Sequence, residues 1–421
     1  MNPYLLGFRC SLCGVTYAPS EVTYTCPRDS GNLDALYDYE RMRAELDPRW
    51  MVYSTDRSIW RYAPLLPVVL PEAHLLMPTP LSRLGWSPLY RALGLERALN
   101  LRMLWLKDDS RLPSASFKDR ASAMVIARAL EAGYHTLCVA STGNAASALA
   151  ALCAGLPLRV VIFVPEGTPE AKLAAMLIHG AQVFIVRGSY NDAVSMATEA
   201  CARFGWYNRS TGINPYTREG KKTAAYEIAE QLAQAAPTPS GFRAPDVVIV
   251  PVGDGNIISG LHKGFRDLHA LGWIDRMPRF IGVTAALAPS LYRAWQRGDD
   301  HFETIPSQTL ASGISVDRPC DGVMALRAVR ETGGALVEAT DEAMLEAMRW
   351  LAAAAGVFVE PACAAALVGL TEALDCGLVS SEEEIVLQLT GSGLKDVRSA
   401  LRAAGQPRTI TSLDEIAAHA G

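Results

Sequence analysis

Ser116-Phe117-Lys118-Asp119-Arg120 is followed, about two dozen residues later, by Ser141-Thr142-Gly143-Asn144, set between an apolar run and an alanine-rich stretch. The lysine opens a predicted helix, Phe117 to Ala132, in which Phe117, Ala121, Met124, Val125 and Ala129 recur at helical spacing. That apolar face has to be buried, and the lysine at its start with it. Burial disfavours an ammonium, so the amine is held neutral and nucleophilic, the state that condenses with an aldehyde.

Outward from this pair the pattern is regular. Strand His135 to Ala140, helix Ala145 to Ala154, strand Leu158 to Val164, helix Pro169 to His179, strand Gln182 to Val186 and helix Asn191 to Phe204 alternate across short polar or glycine turns. A second series runs through helix Lys221 to Ala235, strand Asp246 to Val252, helix Ile257 to His269, strand Phe280 to Thr284 and helix Pro289 to Arg297. It continues with helix Asp341 to Ala355, helix Ala362 to Cys376 and strand Glu384 to Leu389. Such alternation specifies α/β architecture, two open parallel sheets with helices on their faces. A ligand then belongs in the crevice outside the carboxyl ends of the strands. Met51 to Arg111, rich in proline and leucine, reads as loops around this body, with one strand at Leu101 to Lys107.

Three strand-to-helix turns carry candidate chemistry. After the strand ending at Val252, Gly253-Asp254-Gly255-Asn256 opens a helix at Ile257. Its amides can converge on an anion at the helix N-terminus, and a plain tight connection reads equally well. Ser141 to Asn144 offers hydroxyls and amides for a carboxylate and the Asn144 amide for a phenolate-like oxygen, although the same residues are ordinary helix caps. Leu387-Gln388-Leu389 feeds Thr390-Gly391-Ser392-Gly393-Leu394-Lys395-Asp396, whose hydroxyls can reach a ring nitrogen.

Composition excludes several alternatives. The 421 residues carry 39 basic and 44 acidic side chains, a net charge of -5, so no basic surface suits nucleic acid. Apolar runs such as Val160 to Val164 are too short to span a bilayer, and the start of the chain lacks a charged-then-apolar leader pattern. A cytoplasmic enzyme acting on a small molecule is expected. Cys138, Cys153, Cys201, Cys320, Cys363 and Cys376 are scattered as reduced packing residues. The other three cluster: Cys10, Cys13 and Cys26, with Asp29 in the fourth position, have zinc-ribbon spacing. Zinc and a metal-free knuckle with the same turns both stay open, and the segment, with Tyr17, Tyr24 and Leu33 as its small core, reads as an appendage of about 40 residues.

In chain order, Ser116 to Arg120, Ser141 to Asn144, Asn214-Pro215-Tyr216 with Glu219-Gly220 and Lys222-Thr223, Pro251 to Gly255, Glu360-Pro361-Ala362 and Thr390 to Asp396 form a series. It resembles the motifs of fold-type-II pyridoxal-phosphate enzymes, the tryptophan synthase beta-like family, and among them the threonine synthases. The N-terminal ribbon occurs in that subgroup too. The resemblance implies pyridoxal 5'-phosphate as cofactor, with Lys118 as Schiff-base lysine and proton shuttle. It assigns Asn144 to the cofactor's 3-oxygen, Gly253, Asp254, Gly255, Asn256 and Ile257 to its phosphate, and Thr390, with Ser392 second, to its ring nitrogen. Ser116, Ser141, Thr142, Gly143, Asn214 and Lys222 fall on the substrate side. It further implies a homodimer, and a division into a ribbon (1–45), a large cofactor-binding domain (46–124 and 216–405), a small domain (125–215) and a tail (406–421). The implied reaction converts O-phospho-L-homoserine and water into L-threonine and phosphate.

Departures from the pattern bear on substrate choice. Ala115 stands where the family usually has glycine, and Lys221 where it has glutamine. Ala311 to Pro319 resembles the corresponding segment of threonine and serine dehydratases, which keeps an ammonia-lyase or β-replacement reaction as an alternative; a catalytically idle relative is a third. Lys107, Arg120, Arg218, Lys221 and Lys222 are the cations available to a substrate phosphate. A last helix, capped by Ser412 with Glu415 three residues on, is predicted over Ser412 to His419.

Overall fold

The computed structural model describes all residues except 71–77, 413 and 418–421. Two α/β sheets carry the molecule. The larger has six strands in the spatial order Ala335–Ala339, Arg279–Ala285, Val247–Pro251, Glu384–Leu389, Met103–Asp108 and Leu89–Arg91. All neighbours are parallel except the last pair, where Leu89 faces Lys107 in an antiparallel edge. The smaller sheet is parallel throughout, in the order Gln182–Val186, Arg159–Pro165, Thr136–Ala140 and Tyr207–Asn208. Its strands are β-branched and apolar where both faces are covered, as parallel sheets require; Val160, Val161, Ile162 and Val164 are all buried.

Several elements lay outside the sequence reading. Helix Gly322–Glu331 and strand Ala335–Ala339 complete the large sheet's edge. Within the stretch read as loops, helix Leu93–Leu99, strand Leu89–Arg91 and the 3-10 turn Ile59–Leu65 are present. These last three elements are too short for periodicity to register. Of the terminal helix, Asp414–Ala417 is helical; the remainder, at 413 and beyond 417, lies outside the described residues.

The N-terminal segment is not a loose appendage. Its three antiparallel strands, Leu5–Cys10, Thr16–Tyr17 and Leu33–Tyr37, contribute Phe8, Leu33 and Tyr37 to the main core cluster. Polar contacts lock it down: the Tyr37 hydroxyl donates to Glu219 Oε2 at 2.6 Å, Asn32 Nδ2 to the Gly212 carbonyl at 2.6 Å, and Arg218 to the Leu33 carbonyl at 2.9 Å. The ribbon therefore braces residues 208–222, the segment that backs the cleft described next.

Candidate active site

The cleft opens where carboxyl ends of strands from both sheets meet. It is lined by Ser116, Phe117, Lys118, Asn144, Pro251 to Gly255, Ile257, Gly313, Ile314, Glu360, Ala362 and Thr390.

Lys118 begins helix Lys118–Glu131. Its backbone amide donates to Ser116 Oγ at 3.2 Å, and no hydrogen bond or ion pair engages its Nζ among the described residues. Burial pushes its pKa below the usual lysine range; Arg209 pushes the same way, and Asp254 and Glu360 oppose it. The segment ahead of the lysine is stitched to the C-terminal turn. The Phe117 amide donates to the Thr390 carbonyl at 2.9 Å, the Ser392 amide to the Ala115 carbonyl at 3.1 Å, and Ser116 bridges Gly391. Ala115, the residue in place of glycine, has φ 58°, a left-handed conformation that its methyl group disfavours.

Asn144 starts helix Asn144–Cys153. Its Nδ2 donates to Glu360 Oε1 at 2.8 Å and its Oδ1 accepts from Lys395 Nζ at 3.0 Å. One amide hydrogen stays available to a ligand oxygen. Glu360, raised above the usual carboxyl range by burial and held back by Lys395 and Asn144, lines the cleft. In the sequence it stands only as the first residue of the Glu360-Pro361-Ala362 motif. At Thr390 the backbone amide donates to Cys363 Sγ at 3.1 Å, and no partner engages its hydroxyl among the described residues. Ser392 Oγ instead accepts from the Leu394 amide at 3.3 Å, which leaves Thr390 as the hydroxyl facing the cleft.

At the glycine turn, Gly255 has φ 92° and precedes helix Asn256–Ala270. Asp254 turns back on its own backbone, where Oδ1 accepts from the Asn256 amide at 3.0 Å. Burial opposes ionisation of Asp254, but Lys221, Lys118, the Asn256 amide and Arg209 outweigh it and hold the carboxyl below its usual range. Asn256 points elsewhere, its Nδ2 donating to Asp321 Oδ2 at 2.8 Å. Gly253 abuts the Ala311 to Pro319 segment, since a Cβ there would lie 2.9 Å from Ile314 Cα; Gly313 and Ile314 thus bring that segment into the wall.

Other expected site residues sit elsewhere. Ser141, Thr142 and Gly143 flank the cleft without lining it, and Ser141 Oγ accepts from the Gly143 amide at 3.2 Å. Asn214 braces the backbone, donating to the Asn208 carbonyl at 2.8 Å and accepting from the Tyr216 amide at 3.0 Å. Lys222 is removed from substrate altogether, because it is buried in ion pairs with Glu219 at 2.6 Å and Asp267 at 2.9 Å, over the Tyr37 ring. The same correction applies to three other cations: Lys107 pairs with Glu227, Arg120 with Asp109 and Glu227, and Arg218 with Asp321. Of the five, only Lys221 is unpaired among the described residues. Arg209, just after the short strand Tyr207–Asn208, carried no sequence signal, yet it donates to the Lys118 carbonyl at 3.4 Å.

In the ribbon, ligand atoms of Cys10, Cys13, Cys26 and Asp29 all lie within 4.8 Å of one another. The Cys13 and Cys26 sulfurs are 3.8 Å apart, the ~3.8 Å spacing of two thiolates on one tetrahedral zinc.

Residues 81–391 match the family model described as pyridoxal-phosphate dependent enzyme. A threonine synthase of Methanosarcina acetivorans is 34% identical over 405 residues, covering 96% of this chain and 95% of the relative. One from Methanocaldococcus jannaschii is 35% identical over 404 residues, covering 96% of each. Among solved structures, threonine deaminase isoform 2 from Solanum lycopersicum superposes with TM-score 0.64 at 21% identity, over 76% of this chain and 88% of that one. Diaminopropionate ammonia lyase from Escherichia coli gives 0.64 at 19%, over 75% and 86%. These two establish likeness of fold.

Proposed function

This chain belongs to the pyridoxal-phosphate dependent enzymes and, within them, to the threonine synthases, and on that premise we propose that its cleft converts O-phospho-L-homoserine and water into L-threonine and phosphate. The observation that carries the reading is a half-buried Lys118 amine, without a partner among the described residues, set among the glycine turn, Asn144 and Thr390. That donor set fits the cofactor: amides of Gly253 to Ile257 for its phosphate, the spare Asn144 hydrogen for its 3-oxygen, the Thr390 hydroxyl for its ring nitrogen. When bound, pyridoxal phosphate supplies an electron sink for negative charge at the substrate's α carbon.

The protein's own part is positioning and proton movement. Lys118, its pKa lowered by burial, is the base for the α proton and then for a β proton; phosphate departs from the γ carbon, protons return to the γ and α carbons, and water adds at the β carbon. A neutral Thr390 hydroxyl does not stabilise a protonated ring nitrogen as a carboxylate does, which disfavours transamination. Gly313 and Ile314 in the wall favour a second reading, an ammonia-lyase or β-replacement activity on another amino acid.

Product analysis of the cofactor-loaded protein given O-phospho-L-homoserine separates the two. Equimolar threonine and phosphate is the expected result. No turnover by protein that demonstrably holds cofactor sinks the synthase reading, and Lys118→Ala has to abolish turnover in either case.

The converging Cys10, Cys13, Cys26 and Asp29 atoms support a structural zinc site, part of the same proposal. The family resemblance supports a homodimer in the cytoplasm, and sedimentation tests the assembly. No helix among the described residues is long and apolar enough to cross a membrane.

A further inference from the structure

Eight lysines and arginines are buried among the described residues: Arg61, Lys107, Arg120, Arg209, Arg218, Lys221, Lys222 and Lys263. Six have a carboxylate in contact: Arg61 has Glu230, Lys107 has Glu227, Arg120 has Asp109 and Glu227, Arg218 has Asp321, and Lys222 and Lys263 share Asp267. Two do not. Lys221 Nζ has no hydrogen-bond partner among the described residues. The Arg209 guanidinium bonds only neutral oxygens, Ser122 Oγ at 3.1 Å, Thr211 Oγ1 at 2.8 Å and the Lys118 carbonyl at 3.4 Å.

Neither exception lines the cleft, and both are near enough to the glycine turn to act on its Asp254. Lys221 packs on the helix that the turn opens, where a Cβ on Gly260 would lie 2.7 Å from Lys221 Cβ. The charged groups facing Lys221 are Lys118 at the head of its helix, Asp254 in the turn, Arg209 beyond the small sheet, and Asp321, which is already paired with Arg218. Three basic groups thus share Asp254, with Glu360 also acting on Lys118 and Asp119 on Arg209. Uncompensated buried charge is strongly unfavourable, so such a cluster resolves by losing protons or by taking in an anion.

We propose that Lys221 and Arg209 are internal cations that, with the amides of the 253–257 turn, hold the dianion of a phosphate monoester. The inference rests on the reading of the cleft as a pyridoxal-phosphate site. It deepens that reading, because a turn that binds phosphate through amides alone has no need of buried cations near it. Asp254 becomes intelligible as well: it is a carboxylate that acts electrostatically on both basic groups.

A consequence follows for protons. Burial, reinforced by Lys118 and Arg209 and opposed by Asp254 and Asp321, drives the Lys221 pKa far down and so disfavours its charged form. An incoming dianion restores the charged form. Binding therefore takes up a proton, and affinity for the phosphate falls as pH rises.

The test is titration of the full-length, cofactor-stripped protein with pyridoxal phosphate and with pyridoxal, which lacks the phosphate. Lys221→Met is expected to lower the ratio of the two affinities at least tenfold while pyridoxal binding holds. Its thermal midpoint without cofactor should stay level or rise, since a merely structural lysine would lower it. If the ratio holds but KM for O-phospho-L-homoserine rises and inhibition by inorganic phosphate is lost, the phosphate bound there is the substrate's, and the proposal stands. A folded variant with neither change overturns it.

Should Lys221→Met not fold, calorimetry of the unaltered protein in two buffers of different ionisation enthalpy decides. Proton uptake with pyridoxal phosphate and not with pyridoxal supports the assignment; equal uptake refutes it. Failure of the unaltered protein to bind either compound removes the cofactor reading itself, and this inference with it.

Discussion

Lys395 and Asn144 are joined by a 3.0 Å hydrogen bond from Nζ to Oδ1, which fixes the amide so that its nitrogen faces Glu360 and the cleft. The bond ties the last glycine turn to the first helix of the small sheet. A hydrogen bond to a charged group contributes roughly 1.5–3 kcal/mol, enough to hold one amide orientation over its flip. Lys395→Met should weaken cofactor binding about tenfold with little change in unfolding temperature. Fluorescence titration with pyridoxal phosphate measures this, and unchanged affinity would mean that Glu360 alone orients Asn144.

Ala115 sits at φ 58° immediately before the stitched segment that carries the lysine. A left-handed alanine costs about 1–2 kcal/mol, part of which glycine would lose again through unfolded-chain entropy. Ala115→Gly is expected to stabilise the protein by roughly 0.5–1 kcal/mol, read as a higher denaturation midpoint. A drop would show that the methyl group makes contacts worth more than the strain.

Asp119, next to the reactive lysine, is fully buried, and burial raises its pKa to about 7 against two hydrogen bonds from Ser114. The folded state therefore keeps a proton that the unfolded chain releases near pH 4. This stabilisation is complete below that value and is lost as pH rises to about 7, on the order of 1 kcal/mol per pH unit. Asp119→Asn should flatten the dependence of melting temperature on pH between 5 and 8. Parallel curves for the two proteins would place the titration elsewhere.

In the ribbon, carboxylate is the weakest of the four donors for zinc. Purified protein is expected to carry about one zinc per chain and to lose several degrees of thermal stability with a chelator. Asp29→Cys should resist the chelator at concentrations that strip the unaltered protein. Elemental analysis without zinc, after purification free of chelators, would leave a metal-free knuckle.

Much of this was legible in the chain because long elements announce themselves. Strand Gln182–Val186 and helix Asp341–Ala355 fall where apolar periodicity put them. Lys118, Asn144, Gly253 and Thr390 could be singled out because each sits at a strand-to-helix junction, where backbone amides and exposed side chains have to gather. The remainder depended on pairing between distant residues. Nothing local distinguishes Lys222, committed to Asp267, from Lys221, which has no partner among the described residues; adjacent helical positions point to different faces. Arg209 follows a strand of two residues, too short to show a period. The ribbon's anchoring through Tyr37 and Glu219 joins parts of the chain that share no local pattern.

The stitching of Ser116 to Gly391 and of Phe117 to Thr390 sets an order of events during synthesis. The reactive lysine emerges from the ribosome well before the turn that walls it in. A nascent chain therefore carries an exposed lysine without a finished pocket, and the amine gains its chemical selectivity only once that turn has been made.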